Sequence, residues 1–227
     1  MRSYNQYCPI AVAAEVLGDR WTLLIVRELL HGSDRFTELE RGLPGISRSV
    51  LADRLDLLRR TGLIARAGRE RRGRYQLTAA GRDLAPVLAA LGHWGARWAL
   101  AEPRPERLDP ALLLWSMHRR LRFDRLPPGQ TVIEFRFAGC RRDRAWLVLR
   151  PGEASVCLKH PGFEPSLVVS ADAASLFRVW VNRVSLDDEL RAGRIRAEGA
   201  RALARSWPQW FDWPSLPRPA VRDAASG

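Results

Sequence analysis

Lysine is nearly absent from this chain: Lys159 stands alone among 37 basic residues, and the rest are arginine. The net charge is nonetheless +12 over 227 residues. The excess cation therefore sits on planar guanidinium groups, which donate paired hydrogen bonds to phosphate or carboxylate. A GC-rich genome would account for the arginine-to-lysine ratio, but not for the excess itself. Residues 1–100 hold 16 basic and 10 acidic side chains, and residues 101–227 hold 21 and 15. Each half is thus equally cationic, and bulk charge does not locate a polyanion site.

Other scarcities exclude whole classes of protein. Cys8, Cys140 and Cys157 are an odd set without metal-type spacing, which argues against a disulfide scaffold or zinc module and for a reducing cytosol. His31, His93, His118 and His160 are scattered without ligand spacing. No glycine-rich phosphate loop and no nucleophile elbow occurs, so no enzyme, metal site or cofactor is expected. Glu134, Glu153 and Glu198 alternate with apolar residues and read as solvated strand positions. The longest apolar stretches, such as Trp21–Val26, are far too short to span a membrane, and no signal-type segment opens the sequence. The expectation is a cytoplasmic protein of two modest domains with no membrane partner.

The most informative stretch is Ser47 to Arg74. Ser47 is placed to cap a helix in which Leu51, Leu55 and Leu58 share one face, with Ser49, Ala52, Asp53, Asp56 and Arg60 opposite. Gly62 ends it. Leu63–Arg66 and Arg74–Leu77 follow as short alternating runs around a Gly-containing tip, a hairpin signature. A groove-sized helix beside a hairpin tip carrying Arg69, Arg71, Arg72 and Arg74 is the geometry of a DNA reader. Upstream, Pro9 opens a helix that Gly18 ends, Asp19 is expected to cap Arg20–His31, and Asp34 to cap a short helix with Phe36 and Leu39 inward.

Thr78 is expected to cap a long final helix reaching Glu102, slightly bent at Pro86. In it Leu84, Val87, Leu91, Trp94 and Trp98 recur by fours and threes, the seam of a helix packed along a partner, the alternative being a helix packed only on its own domain. The proline-rich run 103–110 reads as a linker after a first domain of residues 1–102. Beyond it, Ala111–Arg125 looks helical, and Thr131–Phe137, Ala145–Arg150, Ala154–Lys159 and Ser166–Ser170 are short alternating runs that fit an antiparallel sheet. Ala173–Asn182 and Ala200–Phe211 return to helical spacing. The second domain, 111–213, is thus α+β, and 214–227 is a flexible tail.

Several motifs in the first domain arrive in a telling order. They are Cys8-Pro9-Ile10, Leu17-Gly18-Asp19-Arg20-Trp21-Thr22, Arg35-Phe36-Thr37-Glu38-Leu39 and Pro44-Gly45-Ile46-Ser47, then Leu51 and Arg54-Leu55. Over residues 5–100 the chain resembles the HxlR-type winged helix-turn-helix regulators of bacteria. The resemblance implies a homodimer binding double-stranded DNA at a two-fold symmetric operator, with 47–60 as recognition helix. Arg48, Ser49 and Ala52 then lie near base edges, with Ser47 at the cap, while Arg35 and Thr37 meet phosphate and Arg69, Arg71, Arg72 and Arg74 form the wing. Arg54 borders the leucine face and fits a structural ion pair or a phosphate contact equally well. In that family a cysteine placed like Cys8 senses oxidants in some members; the alternative is a small residue packed beneath the first turn.

The second half has motifs of its own. The hairpin Ala145–Leu158, the helix after Asp172 and the Leu-x-x-Gly-x-Ile step within Glu189–Gly199 are similar to the sterol-carrier, or SCP2-like, fold. That resemblance implies an apolar cavity and an apolar small-molecule effector. Trp115, Phe135, Phe137, Trp146, Phe177, Trp180, Trp207 and Trp210 are the aromatics that would wall such a cavity or, equally, fill it. The expected function is a ligand-modulated transcriptional regulator. The rival is a small-molecule or lipid carrier whose winged helix serves mainly as a dimerisation scaffold.

Overall fold

The computed structural model describes residues 4–67, 73–102, 104, 108–140 and 142–217. The chain divides into two compact units, Met1–Gly92 and His93–Gly227. In the first, α1 (Pro9–Leu17), α2 (Thr22–Leu30), α3 (Phe36–Gly42) and α4 (Arg48–Arg60) precede a hairpin of β1 (Ile64–Ala67) and β2 (Arg74–Leu77). A short α5 (Ala79–Arg82) then leads to α6 (Ala85–Trp94). This is the expected winged helix. Its core is built from Ile25, Val26 and Leu29 of α2, Leu39 of α3, the leucine face of α4, and Ile64 of β1. Each such side chain contributes roughly 1.5–3 kcal/mol by leaving water.

Two expected caps have other work. α2 starts at Trp21, which holds a left-handed φ of 80°, and no side chain caps it. Asp19 is instead bonded to Arg54 of α4 at 2.7 Å. Likewise α3 has Arg35 at its cap position. Its open N–H groups are met from within, because the Glu38 carboxylate accepts from the backbone of Asp34 and Arg35 at 3.1 and 3.2 Å. A charge–charge bond to a distant element outcompetes a local cap when packing brings the cation close.

The single long helix from Thr78 is also corrected. Thr78 does cap, its Oγ1 accepting from Gly81 N–H at 3.2 Å. The helix then breaks at Asp83–Leu84 and restarts at Ala85, so that Pro86 falls in a first turn where its missing N–H costs nothing. Pro86 divides the helix rather than bending it. After α6 the chain winds as a π-helix over Gly95–Ala99, closed by Leu100 N–H donating to Gly95 O at 2.7 Å.

The second unit is α+β. Its helices are α7 (Pro110–His118), α8 (Ala173–Trp180), α9 (Leu186–Arg191) and α10 (Arg201–Ser206), and its strands are β3 (Thr131–Ala138), β4 (Arg144–Arg150), β5 (Glu153–Cys157), β6 (Leu167–Asp172) and β7 (Ile195–Gly199). The strands form one sheet in the order β5-β4-β3-β6-β7. It is mixed rather than antiparallel, because β3 and β6 run parallel, Phe135 pairing with Val169. α7 is shorter than the expected 111–125 run, ending at His118 before a bridge of Leu121 to Phe211 and a 3-10 turn at Phe123–Arg125. Pro110, expected in the linker, is its first residue, with the Asp109 carboxylate capping Ala111 N–H at 2.9 Å.

Two further expectations change. Glu134 is not a solvated strand residue: it is buried on the sheet and clasped by Arg136 at 2.9 Å and Arg144 at 3.4 Å. A carboxylate pinned by two guanidiniums satisfies its lone pairs within the protein. The start of the tail is packed, not frayed. Leu216 lies against the second core and its carbonyl accepts from Asn182 Nδ2 at 2.7 Å, just beyond Trp213, the last residue of the expected domain, which meets Trp180, Trp207 and Phe211 edge to face. Residues 218–227 lie outside the described residues.

Two predictions follow from these contacts. A methyl group at Gly81 would press into the Leu63 carbonyl and to 2.9 Å from Leu77 Cδ2. Gly81→Ala is therefore expected to destabilise the first unit by about 1–3 kcal/mol in urea denaturation, the cost of overpacking. In the second unit, the Arg194 guanidinium, with help from Ser175, holds the Glu189 carboxyl below its ordinary range. The stability it contributes is complete above the unfolded pKa of about 4.3 and is lost as pH falls through the lower folded value. Acid titrations of the melting temperature should show a shallower decline below pH ~4 for Glu189→Gln than for wild type.

Candidate nucleic-acid interface

Burial of one face of α4 decides what the other presents. Leu51, Leu55 and Leu58 are inside. Arg48, Ser49, Ala52, Asp53 and Asp56 consequently face solvent. Ser47 opens the helix as expected, its Oγ accepting Val50 N–H at 3.2 Å and lying 3.1 Å from Ser49 Oγ. The helix start thus exposes two hydroxyls and an arginine.

The cations around it are held to differing degrees. Arg48 donates to Glu40 of α3 at 2.6 Å, and its guanidinium lies 4.9 Å from the Phe36 ring centroid. It therefore leaves α4 along the side facing α3. Arg54 donates to Asp19 at 2.7 Å, the ion pair among its two readings. Arg35 and Thr37 are both exposed on α3. Arg59 reaches back to Asp56 at 3.4 Å, partly offsetting one of the acidic side chains on the presented face.

The hairpin is fixed to α3 by a clasp that sequence reading missed. Asp34 O accepts from Tyr75 N–H at 2.7 Å, and the Asp34 carboxylate accepts from Arg74 at 3.0 Å. Arg74 is thus the root of the wing, tied down beside the helix-turn-helix. Arg69, Arg71 and Arg72 fall outside the described residues. Asp34 and Arg74 are 40 residues apart, and only the acid-then-Arg-Phe-Thr context of α3 marked that loop at all.

The expected dimer seam separates into two groups. Leu84 packs against the first core, as does Leu88. Val87, Leu91, Trp94 and Trp98 are 46–59% exposed. α1 likewise buries none of its residues, and Tyr7, Ile10 and Val12 are open to solvent. Cys8 sits half-buried at the N-terminal end of α1 as a free thiol, making no capping bond.

The expected pocket aromatics also divide. Phe135, Trp207 and Trp210 are core side chains, and Trp146 lies on the other sheet face with Val132 and Val148. Trp115 stacks on His118 at 5.2 Å. Phe137, Phe177 and Trp180 do line a cavity of about 300 Å³, with Leu113 and Ala173 among its walls. Among the described residues no group of histidine, cysteine and carboxylate side chains could hold a metal. None of the described helices is long and apolar enough to cross a membrane.

A helix-turn-helix with a presented second helix and a wing rooted beside it defines the class of winged-helix DNA-binding proteins. The family model for the HxlR-like helix-turn-helix matches residues 16–103. The HTH-type transcriptional regulator YvaP of Bacillus subtilis is 39% identical over 113 residues, which are 48% of this chain and 96% of that one. The HTH-type regulator Rv3095 of Mycobacterium tuberculosis is 44% identical over 97 residues, 41% of this chain and 59% of that one. Among solved structures, reduced YodB of Bacillus subtilis is 33% identical, covering 40% of this chain and 92% of that one with a TM-score of 0.35. The chain belongs to the HxlR-like helix-turn-helix family and is a DNA-binding transcriptional regulator. The family and these relatives are regulators, not enzymes. The second unit lies largely beyond the family match.

The Glu40–Arg48 pair yields a test. Glu40→Gln removes a carboxylate beside the presented helix and releases Arg48 toward phosphate. Fluorescence anisotropy on duplex DNA should show affinity rising about threefold to tenfold, with a steeper salt dependence. An unchanged salt slope would place Arg48 away from the phosphate backbone.

Proposed function

We propose that the protein acts as a homodimer on a two-fold symmetric operator, and that an apolar small molecule held by the second unit modulates its DNA binding. The observation that carries the dimer is the stripe of Val87, Leu91 and Trp94 on α6, exposed at fours and threes while Leu84 and Leu88 are turned inward. Large apolar side chains at that spacing are left in water at a cost that a partner helix removes. The open apolar side chains of α1 add to the surface a second copy would cover. In this reading Arg48, Ser49 and Ala52 meet base edges, and Arg35, Thr37 and the wing arginines meet phosphate. The apolar cavity supports the sensing role, since a ligand with unequal affinity for two dimer geometries shifts DNA binding.

Footprinting on the DNA upstream of the protein's own gene, with native mass spectrometry, tests the reading. Wild type should be dimeric and protect a short palindromic site. Leu91→Arg, which sets a charge in the seam, should run at monomer mass and lose protection while keeping its helical signal. A dimer that survives Leu91→Arg would move the interface elsewhere, and no protected site would favour a carrier.

A further inference from the structure

The cavity in the second unit has an unusual relation to the chain that enters it. One wall is α8, through Ala173, Phe177 and Trp180. Another is the start of α7, through Leu108, Asp109, Pro110, Leu112 and Ser116. α8 therefore faces the point at which the segment following the π-helix enters α7.

The turn that follows α8 grips the same segment upstream. Val181, Asn182 and Arg183 are fastened to the helix by backbone bonds to Phe177, Val179 and Arg178 at 2.8–3.0 Å, so Arg183 is a rigid extension of it. The Arg183 guanidinium donates to the Glu102 carboxylate at 2.6 Å and to the Leu100 carbonyl. Its side chain is only 6% exposed, whereas that of Glu102 is 71% exposed. A guanidinium taken that far out of water is costly to leave unpaired, so it holds these acceptors firmly. Leu100 is also the residue that closes the π-helix.

We propose that this cavity is the effector site, that it takes a compact, neutral, ring-sized apolar molecule, and that Arg183 transmits its occupancy to the helix carrying the dimer seam. The proposal rests on the reading that an apolar effector acts on this protein, and it specifies where and how. A cavity of about 300 Å³ is at the small end of ligand sites and suits one or two fused rings. Its walls are apolar apart from Asp109 and Ser116 at the α7 end, which suits a ligand bearing a single hydrogen-bond donor and disfavours an anion. A ligand between Phe177, Trp180 and Pro110 sets the spacing of α8 from the start of α7. Arg183 moves with α8 and draws Leu100 and Glu102 with it. The covalent path from Leu100 then leads back through the π-helix to Trp98, Trp94 and Leu91. Arg183 is a positioning residue, touching no ligand itself.

The test uses the full chain, with the neutral two-ring fluorophore 2-naphthol as ligand and anisotropy on the upstream duplex as readout. Wild type should bind one probe per chain, and saturation should change DNA affinity about fivefold or more, the lower range of ordinary coupling. Ala173→Leu, or Ser116→Leu if the first fails to fold, fills the cavity and should abolish probe binding. Glu102→Gln, at an exposed position, and Arg183→Met should still bind the probe while the DNA shift falls to about twofold or less. No saturable probe binding, or binding that survives both filling variants, overturns the effector reading itself. Probe binding that leaves DNA affinity unchanged in wild type, or an undiminished shift in Glu102→Gln and Arg183→Met, overturns the clamp and leaves the effector cavity standing.

Discussion

Burial of the leucine face of α4 is the constraint from which the DNA-reading half follows. Leu51, Leu55 and Leu58 have only one apolar surface to meet, built from α2, α3 and β1, and they meet it along a single face. That fixes the rotation of α4 about its own axis, so Ser49 and Ala52 point outward for a packing reason rather than a functional one. The polar bonds then set the neighbours at their angles. Asp19–Arg54 locks the start of α2 to α4, and the double bond from Asp34 to Arg74 and Tyr75 locks the wing to α3. Apolar burial supplies the energy, and the ion pairs supply the register.

The presented face is mixed in charge, and this bears on how such a surface discriminates. Asp53 and Asp56 repel phosphate, Arg59 partly screens Asp56, and Arg48 is drawn toward Glu40. Non-specific attraction is thereby reduced close to the helix. In the proposed reading, affinity comes from the wing and selectivity from the helix start, as phosphate contacts position and base contacts specify.

The second unit uses the same economy differently. Its sheet buries aromatics on one face, and Glu134 and Glu189 are each held by arginines rather than left to water. Most of the aromatics in this half fill the core. Phe137, Phe177 and Trp180 instead border the space between α7 and α8.

Much was legible in the residues themselves. The 3.6-residue spacing of Leu51, Leu55 and Leu58, the Ser47 and Thr78 caps and the hairpin turn are local signals, and local chemistry is what sequence states directly. The motif order around Gly18–Thr22 and Arg35–Leu39 carried the family. What sequence could not decide was every partnership made across the fold. Asp19 and Asp34 look like caps until tertiary packing brings an arginine within bonding distance, and Glu134 looks solvated until two strands place guanidiniums over it. Pro86 reads as a bend, yet whether a helix bends or restarts depends on what the two pieces pack against. The parallel pairing of β3 with β6, the split of the aromatics into core and cavity, and the grip of Arg183 on Leu100 and Glu102 belong wholly to the three-dimensional structure. These join residues far apart in the chain, and no periodicity records a distance that only folding closes.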